Sequence, residues 1–172
     1  SNGSKADGEI TWNFAQSWVA GDSVAYDKYD LQSVAMHELL HTLGFLSYVD
    51  APGANGFTSW TVFDSFLVNS AGTKLIGSDF TWNPAYNANL TGGSGGVFFG
   101  GPDAVAAYGG RVPLYTPNPW ASGSSLSHLN DRAFAGGNRK LMNAQVGSGL
   151  GIRVISAVEL AVLADLGYTV TS

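Results

Sequence analysis

The stretch that decides how this chain reads is Val34-Ala35-Met36-His37-Glu38-Leu39-Leu40-His41-Thr42-Leu43-Gly44-Phe45. His37, Glu38 and His41 form H-E-x-x-H. On a helix, residues four apart stack on one face, so both imidazoles can reach a single cation. Glu38 lies about 100° round the helix from His37, near enough to act on a water at the ion without being a ligand itself. A catalytic zinc ion takes three protein ligands and leaves its fourth position open. A third ligand must therefore come from another part of the chain.

The chain holds three histidines, and the one outside the motif is His128, in Gly123-Ser124-Ser125-Leu126-Ser127-His128-Leu129-Asn130. His128 is the leading candidate for the third ligand. Asp50 and Glu159 are carboxylate alternatives, although Glu159 also completes a capping box with Ser156. Ser47 stands where a compact continuation of the motif would place its ligand, and a serine hydroxyl binds zinc poorly.

Outward from the motif, Asp30 is a good N-cap for a helix over about 31 to 43, and Gly44 suits the left-handed position that ends it. Apolar residues surround that helix nearly completely, which predicts burial. Upstream, Ile10, Trp12 and Phe14 alternate as on a strand over 9–14, and Val24 to Tyr26 reads as a short edge strand able to pair with an extended peptide. Downstream, the chain is irregular to about Asn130. It has an apolar segment at 61–68, a turn, a short strand near 73–76, and helical turns over 103–108 closed by Gly109-Gly110. Gly92 to Gly96 reads as a mobile loop and lacks the Lys-Ser/Thr ending of a phosphate loop. A last helix begins at Ser156, with Ile155 and Leu160 as its hydrophobic staple, and stops at Gly167.

Length and composition bound the function classes. A chain of 172 residues, 45% hydrophobic and only 12% charged, is long enough for one packed domain. A net charge of -5 with eight scattered Lys and Arg excludes a phosphate backbone as partner. No apolar run is long enough to span a bilayer. The absence of cysteine removes disulfides, thiolate ligands and thiol nucleophiles together. Ser1 to Ser4 reads as a processed end, compatible with a leader removed upstream. Structural calcium through Asp50, Asp79 or Asp103 is conceivable, but no run has the pattern of a calcium loop.

His37-Glu38-Leu39-Leu40-His41-Thr42-Leu43-Gly44-Phe45 resembles the start of the metzincin zinc-protease signature, H-E-x-x-H-x-x-G. The long gap before His128 resembles the leishmanolysin-like branch of that clan. The resemblance implies an α+β zincin fold. A small upper lobe, about 1–44, would carry short strands and the active-site helix; an irregular lower lobe, about 45–172, would end in the C-terminal helix, all in one catalytic domain. It implies that His37, His41 and His128 hold Zn2+, that Glu38 is the general base, and that Leu141-Met142-Asn143-Ala144 is a Met-turn. It also implies a secreted monomer acting on protein or peptide substrates, with Tyr48, Tyr108 and Tyr115 as candidates to stabilise the oxyanion. Two other classes stay open on the residues alone: a zinc hydrolase of non-peptide substrates, and a zinc-stabilised binding module without catalysis. Glu38 discriminates against the last, because a purely structural site has no use for an acid beside the metal.

Overall fold

Asp30 starts the helix on which the rest is assembled. Its carboxylate accepts the backbone N–H groups of Gln32 and Ser33 at 3.1 and 3.2 Å, and α1 runs over Leu31–Thr42. The far end closes as a Schellman motif, in which the Gly44 N–H reaches the His41 carbonyl and the Phe45 N–H reaches that of Leu40. Gly44 has φ +96°, a conformation that side-chain-bearing residues rarely adopt, so the chain can turn sharply away from the helix. The computed structural model describes residue 6 and residues 8–171; the expected processed end at Ser1 to Ser4 lies outside the described residues.

The architecture is α+β. Two short parallel strands, β1 (Trp18–Val19) and β2 (Tyr29–Asp30), precede α1. An antiparallel sheet of order β3-β4-β5 follows, made of Leu67–Val68, Phe98–Phe99 and Val112–Pro113. Between the last two strands lies α2 (Pro102–Tyr108), and α3 (Ala157–Asp165) closes the chain. Asp165 at the end of α3 accepts the N–H groups of Asp103 and Ala104 at 3.0 and 2.9 Å, which fastens the first turn of α2 to α3. Ser156 and Glu159 form the capping box expected from the sequence.

The core lies almost wholly downstream of α1. Phe45, Phe63 and Phe99 are fully buried and stack in a row, with ring centroids 5.1 and 4.8 Å apart. Leu67, Leu75, Leu90, Leu126, Leu129, Phe134 and Met142 extend the same cluster, and among the fully apolar residues of α1 only Leu40 is buried in it. This corrects the expectation of a wholly buried helix. Ser33, His37 and Leu40 face inward, whereas Leu39 and, just past the helix, Leu43 are exposed.

Three strand expectations also change. Residues 9–14 form no strand; Trp12 instead meets Trp18 edge-on at 5.5 Å, so the aromatic alternation serves local packing. Val24 to Tyr26 is not an edge strand, because the Lys28 N–H bonds back to the Ala25 carbonyl and turns the chain there. The strand near 73–76 is reduced to the isolated bridges Val68↔Lys74 and Ile76↔Trp82. The glycine run expected as a mobile loop forms a 3-10 turn at Gly93–Gly95, and the Gly96 carbonyl accepts the side-chain N–H of buried Asn89 at 2.8 Å.

Asp30 does more than cap. It accepts the Gly151 N–H at 3.0 Å and pairs with Arg153 at 2.8 Å, so it joins the start of α1 to the segment leading into α3. Burial pushes its carboxyl up, but Arg153 and the N–H groups of Gly151 and Ser33 more than offset this and hold it below the usual value. Asp30→Ala should lower stability by about 3 kcal/mol, from the lost cap plus the broken charge-assisted bonds. The change is read as a shift in urea midpoint, with Asp22→Ala as the exposed control. Because the folded-state carboxyl is depressed, the Asp30 contribution is complete above the usual carboxylate range and disappears as pH falls through the folded-state value.

Candidate metal centre

Helix geometry puts His37 and His41 on one face, one turn apart. His128 arrives from the opposite direction on the loop that follows β5. The three Nε2 atoms converge: His37 and His128 are 3.1 Å apart, His37 and His41 3.1 Å, His41 and His128 3.2 Å. His37 and His128 are buried and His41 is half-buried.

Each ring is oriented from behind by a backbone carbonyl. The His37 Nδ1–H donates to the Leu141 carbonyl, that of His41 to the Phe45 carbonyl, and that of His128 to the Ser124 carbonyl, all at 2.7 Å. A carbonyl can only accept, so each Nδ1 carries the proton and each Nε2 of the neutral ring presents a bare lone pair. Three lone pairs facing one another have no donor among them, and a cation is what resolves their repulsion. Three nitrogens on one tetrahedral ion, with bonds of about 2.0–2.1 Å, stand about 3.3 Å apart. The observed spacing fits a single cation. These three histidines can hold a metal ion, and they are the one such group among the described residues.

Neither His41 nor His128 supplies a proton to the cluster near neutral pH. Burial pushes the His128 imidazole down to about 4, and burial also lowers that of His41. Both effects keep the Nε2 lone pairs free.

The loop that delivers His128 is held under strain. Leu126, fully buried, has φ +63°, an outlying conformation for a branched side chain. The Ser124 and Ser125 N–H groups both bond to the Ala121 carbonyl, and the Leu126 N–H bonds to that of Tyr115. Leu141-Met142 links the same loop to α1. While the Leu141 carbonyl holds His37, the Met142 carbonyl accepts the N–H of Leu129, next to His128, at 2.8 Å. Met142 is itself fully buried, and its N–H donates to the Glu159 carboxylate at 2.7 Å.

The alternative ligands are placed elsewhere. Glu159 is fully buried but occupied by Met142 and by the capping box. Asp50 turns its carboxylate onto the Ala51 N–H, Asp79 caps Thr81, and Asp103 lies in the first turn of α2. Glu38 is half-buried and lines a cleft of about 400 Å³ with His41, Tyr48 and Thr61, whose other wall is Gly8 to Ile10. Tyr48 is the tyrosine of the three candidates that lines this cleft. Tyr108 stacks on Phe134, and Tyr115 lines a separate cavity.

One functional side chain escaped the sequence reading. Asp64 is buried, and its carboxylate accepts the Ser47 hydroxyl at 2.6 Å and the N–H groups of Tyr48 and Thr61 at 3.0 Å each. The Ser47 N–H in turn donates to Ser127 Oγ at 3.1 Å, one residue from His128. Asp64 thus fixes the cleft wall at Tyr48 and, through Ser47, the loop that carries the third imidazole. Burial raises its carboxyl above the usual range against the pull of those hydrogen bonds. Ser47, at the position a compact motif would give to its ligand, is here the link to the ligand's neighbour. The signal available beforehand was an acid inside the apolar segment 61–68.

Comparison with known proteins finds no family model, no curated protein and no solved structure that matches this chain. The fold and site define it as an α+β protein with a three-histidine site able to take a metal ion.

Ser127→Ala should weaken metal binding about tenfold, because it cuts the Ser47 link without touching an imidazole. Competition against a chelating indicator measures this. In the metal-free protein, the unfolded chain takes up a proton on His128 near pH 6.5 while the folded chain waits until about 4. Stability should therefore fall as pH drops from about 6.5 toward 4, and the fall should be smaller in His128→Asn.

Proposed function

We propose that this chain is a zinc-dependent endopeptidase, of the metzincin kind that its motif resembles. The observation that carries the reading is the convergence of the Nε2 atoms of His37, His41 and His128, with His41 and Glu38 both lining an open cleft. A donor set of three neutral imidazoles without thiolate suits zinc, and leaves room for the open position a catalytic ion requires. Zinc held by His37, His41 and His128 would supply Lewis acidity there, making a water nucleophilic near neutral pH and polarising a carbonyl.

The chain's own groups account for the rest. Glu38 is the general base, taking the proton of the attacking water and returning it to the departing amine. It has no hydrogen-bond partner among the described residues that would divert it from this role. Tyr48, on the same cleft, is the donor available to the carbonyl oxygen as negative charge gathers there. The three carbonyls behind the imidazoles keep the rings oriented, so the site is organised before substrate enters. Gly8 to Ile10, which also line the cleft, offer main-chain groups for a peptide to pair with.

Zinc content and cleavage of a denatured protein substrate, measured on the same samples, test the reading. Glu38→Gln should keep its zinc and lose at least about 10²-fold in kcat. His128→Ala should lose zinc retention and activity together. Zinc-loaded Glu38→Gln that digests as fast as the parent would rule the mechanism out.

A further inference from the structure

Thr61 lines more than the cleft beside Glu38. It also lines a second hollow of about 530 Å³, with Trp60, Ile76, Phe80 and Lys74 and further hydroxyl side chains. Its size is that of a ligand site able to hold two adjacent residues of a peptide.

The walls are fixed in advance. Trp60 donates its indole N–H to the Phe80 carbonyl at 2.8 Å and stacks on Phe57 at 4.5 Å between ring centroids. Phe80 has φ +61°, in the left-handed region, although the residue is 63% exposed and gains little from burial. For a bulky residue that conformation is a genuine outlier. Such outliers concentrate where a side chain must be aimed for a purpose. The turn is tightened by the Phe80 N–H on the Gly77 carbonyl and by Asp79 on Thr81. Thr61, which lines both hollows, is itself pinned by Asp64 and by its own hydroxyl on the Leu46 carbonyl at 2.9 Å.

The charge is one-sided. Lys74 is the one charged side chain lining this hollow, it is exposed, and it makes no ion pair among the described residues. In a chain of net charge -5, a cation lining the same hollow as Trp60 and Phe80 favours a carboxylate lying beside an apolar group.

We infer that this second hollow is a substrate subsite taking an aromatic or large apolar side chain next to an acidic one. This rests on the endopeptidase reading of the neighbouring cleft and names the peptides it would favour. Trp60, Ile76 and Phe80 receive the apolar side chain, and Lys74 pairs with the adjacent carboxylate.

Two arms test the inference. In the first, the zinc-loaded parent, Trp60→Ala and Lys74→Glu are given an equimolar peptide mixture, and the cut sites are sequenced. The parent should favour bonds near Phe, Leu or Ile adjoining Asp or Glu. Lys74→Glu should cut those peptides about tenfold more slowly while gaining on their Lys counterparts, and Trp60→Ala should lose the preference for Phe over Ala. In the second arm, calorimetry measures the binding of acetyl-Ala-Phe-Glu-Ala-amide to Glu38→Gln with and without Lys74→Glu, and needs no turnover. About tenfold weaker binding with Lys74→Glu supports the subsite even if the parent cuts nothing, an outcome that would count against the peptidase reading alone. Identical cut profiles in all three proteins, or peptide binding indifferent to Lys74, would overturn the subsite and leave the peptidase reading intact.

Discussion

Three unprotonated nitrogens held about 3 Å apart repel one another, and the rest of the structure is arranged to keep them there. Three backbone carbonyls take the Nδ1 protons and so fix which nitrogen of each ring faces inward. Those carbonyls belong to three different places: the turn after α1, the loop before His128, and the Leu141-Met142 turn. Each of the three places is secured in turn. The Schellman closure sets Phe45, the strained loop sets Ser124, and Glu159 and Leu129 set Met142. A site assembled from distant segments is thereby made nearly as determinate as one built on a single helix.

The scaffold carries a corresponding asymmetry. Most of the apolar core lies downstream of α1, so the helix is a wall of the domain rather than its centre. Its inner face gives His37 a buried setting, while His41 and Glu38 both line an open cleft. Asp30 and Arg153 tie the start of this wall to the entry of α3. Asp64 ties the chain just beyond its end to the His128 loop. These two buried carboxylates, Asp30 and Asp64, shift in opposite net directions. Asp30 has a guanidinium opposite it and stays ionised easily, whereas Asp64 has only neutral donors.

Local chemistry was the legible part of this chain. The Asp30 cap, the Gly44 exit, the Ser156–Glu159 box and the spacing of His37 and His41 each depend on residues within a turn or so of one another, and each is present. His128 could be picked out because the chain offers no other imidazole. What was hidden depends on distance. Nothing in the alternation of Ile10, Trp12 and Phe14 tells a strand from a cluster, because Trp18 satisfies Trp12 just as a strand neighbour would. The apolar girth of α1 suggested burial on all sides, yet Leu39 and Leu43 meet solvent since the core is built elsewhere. Asp64 was invisible because its partners, Ser47, Tyr48 and Thr61, come together only once the chain after α1 folds back.

X-ray absorption at the zinc edge of the loaded protein tests the central claim most directly. The account predicts one ion per chain with three imidazole nitrogens at about 2.0 Å and one further light atom from solvent. A shell containing two imidazoles or fewer, or four ligands all supplied by the protein, would contradict it.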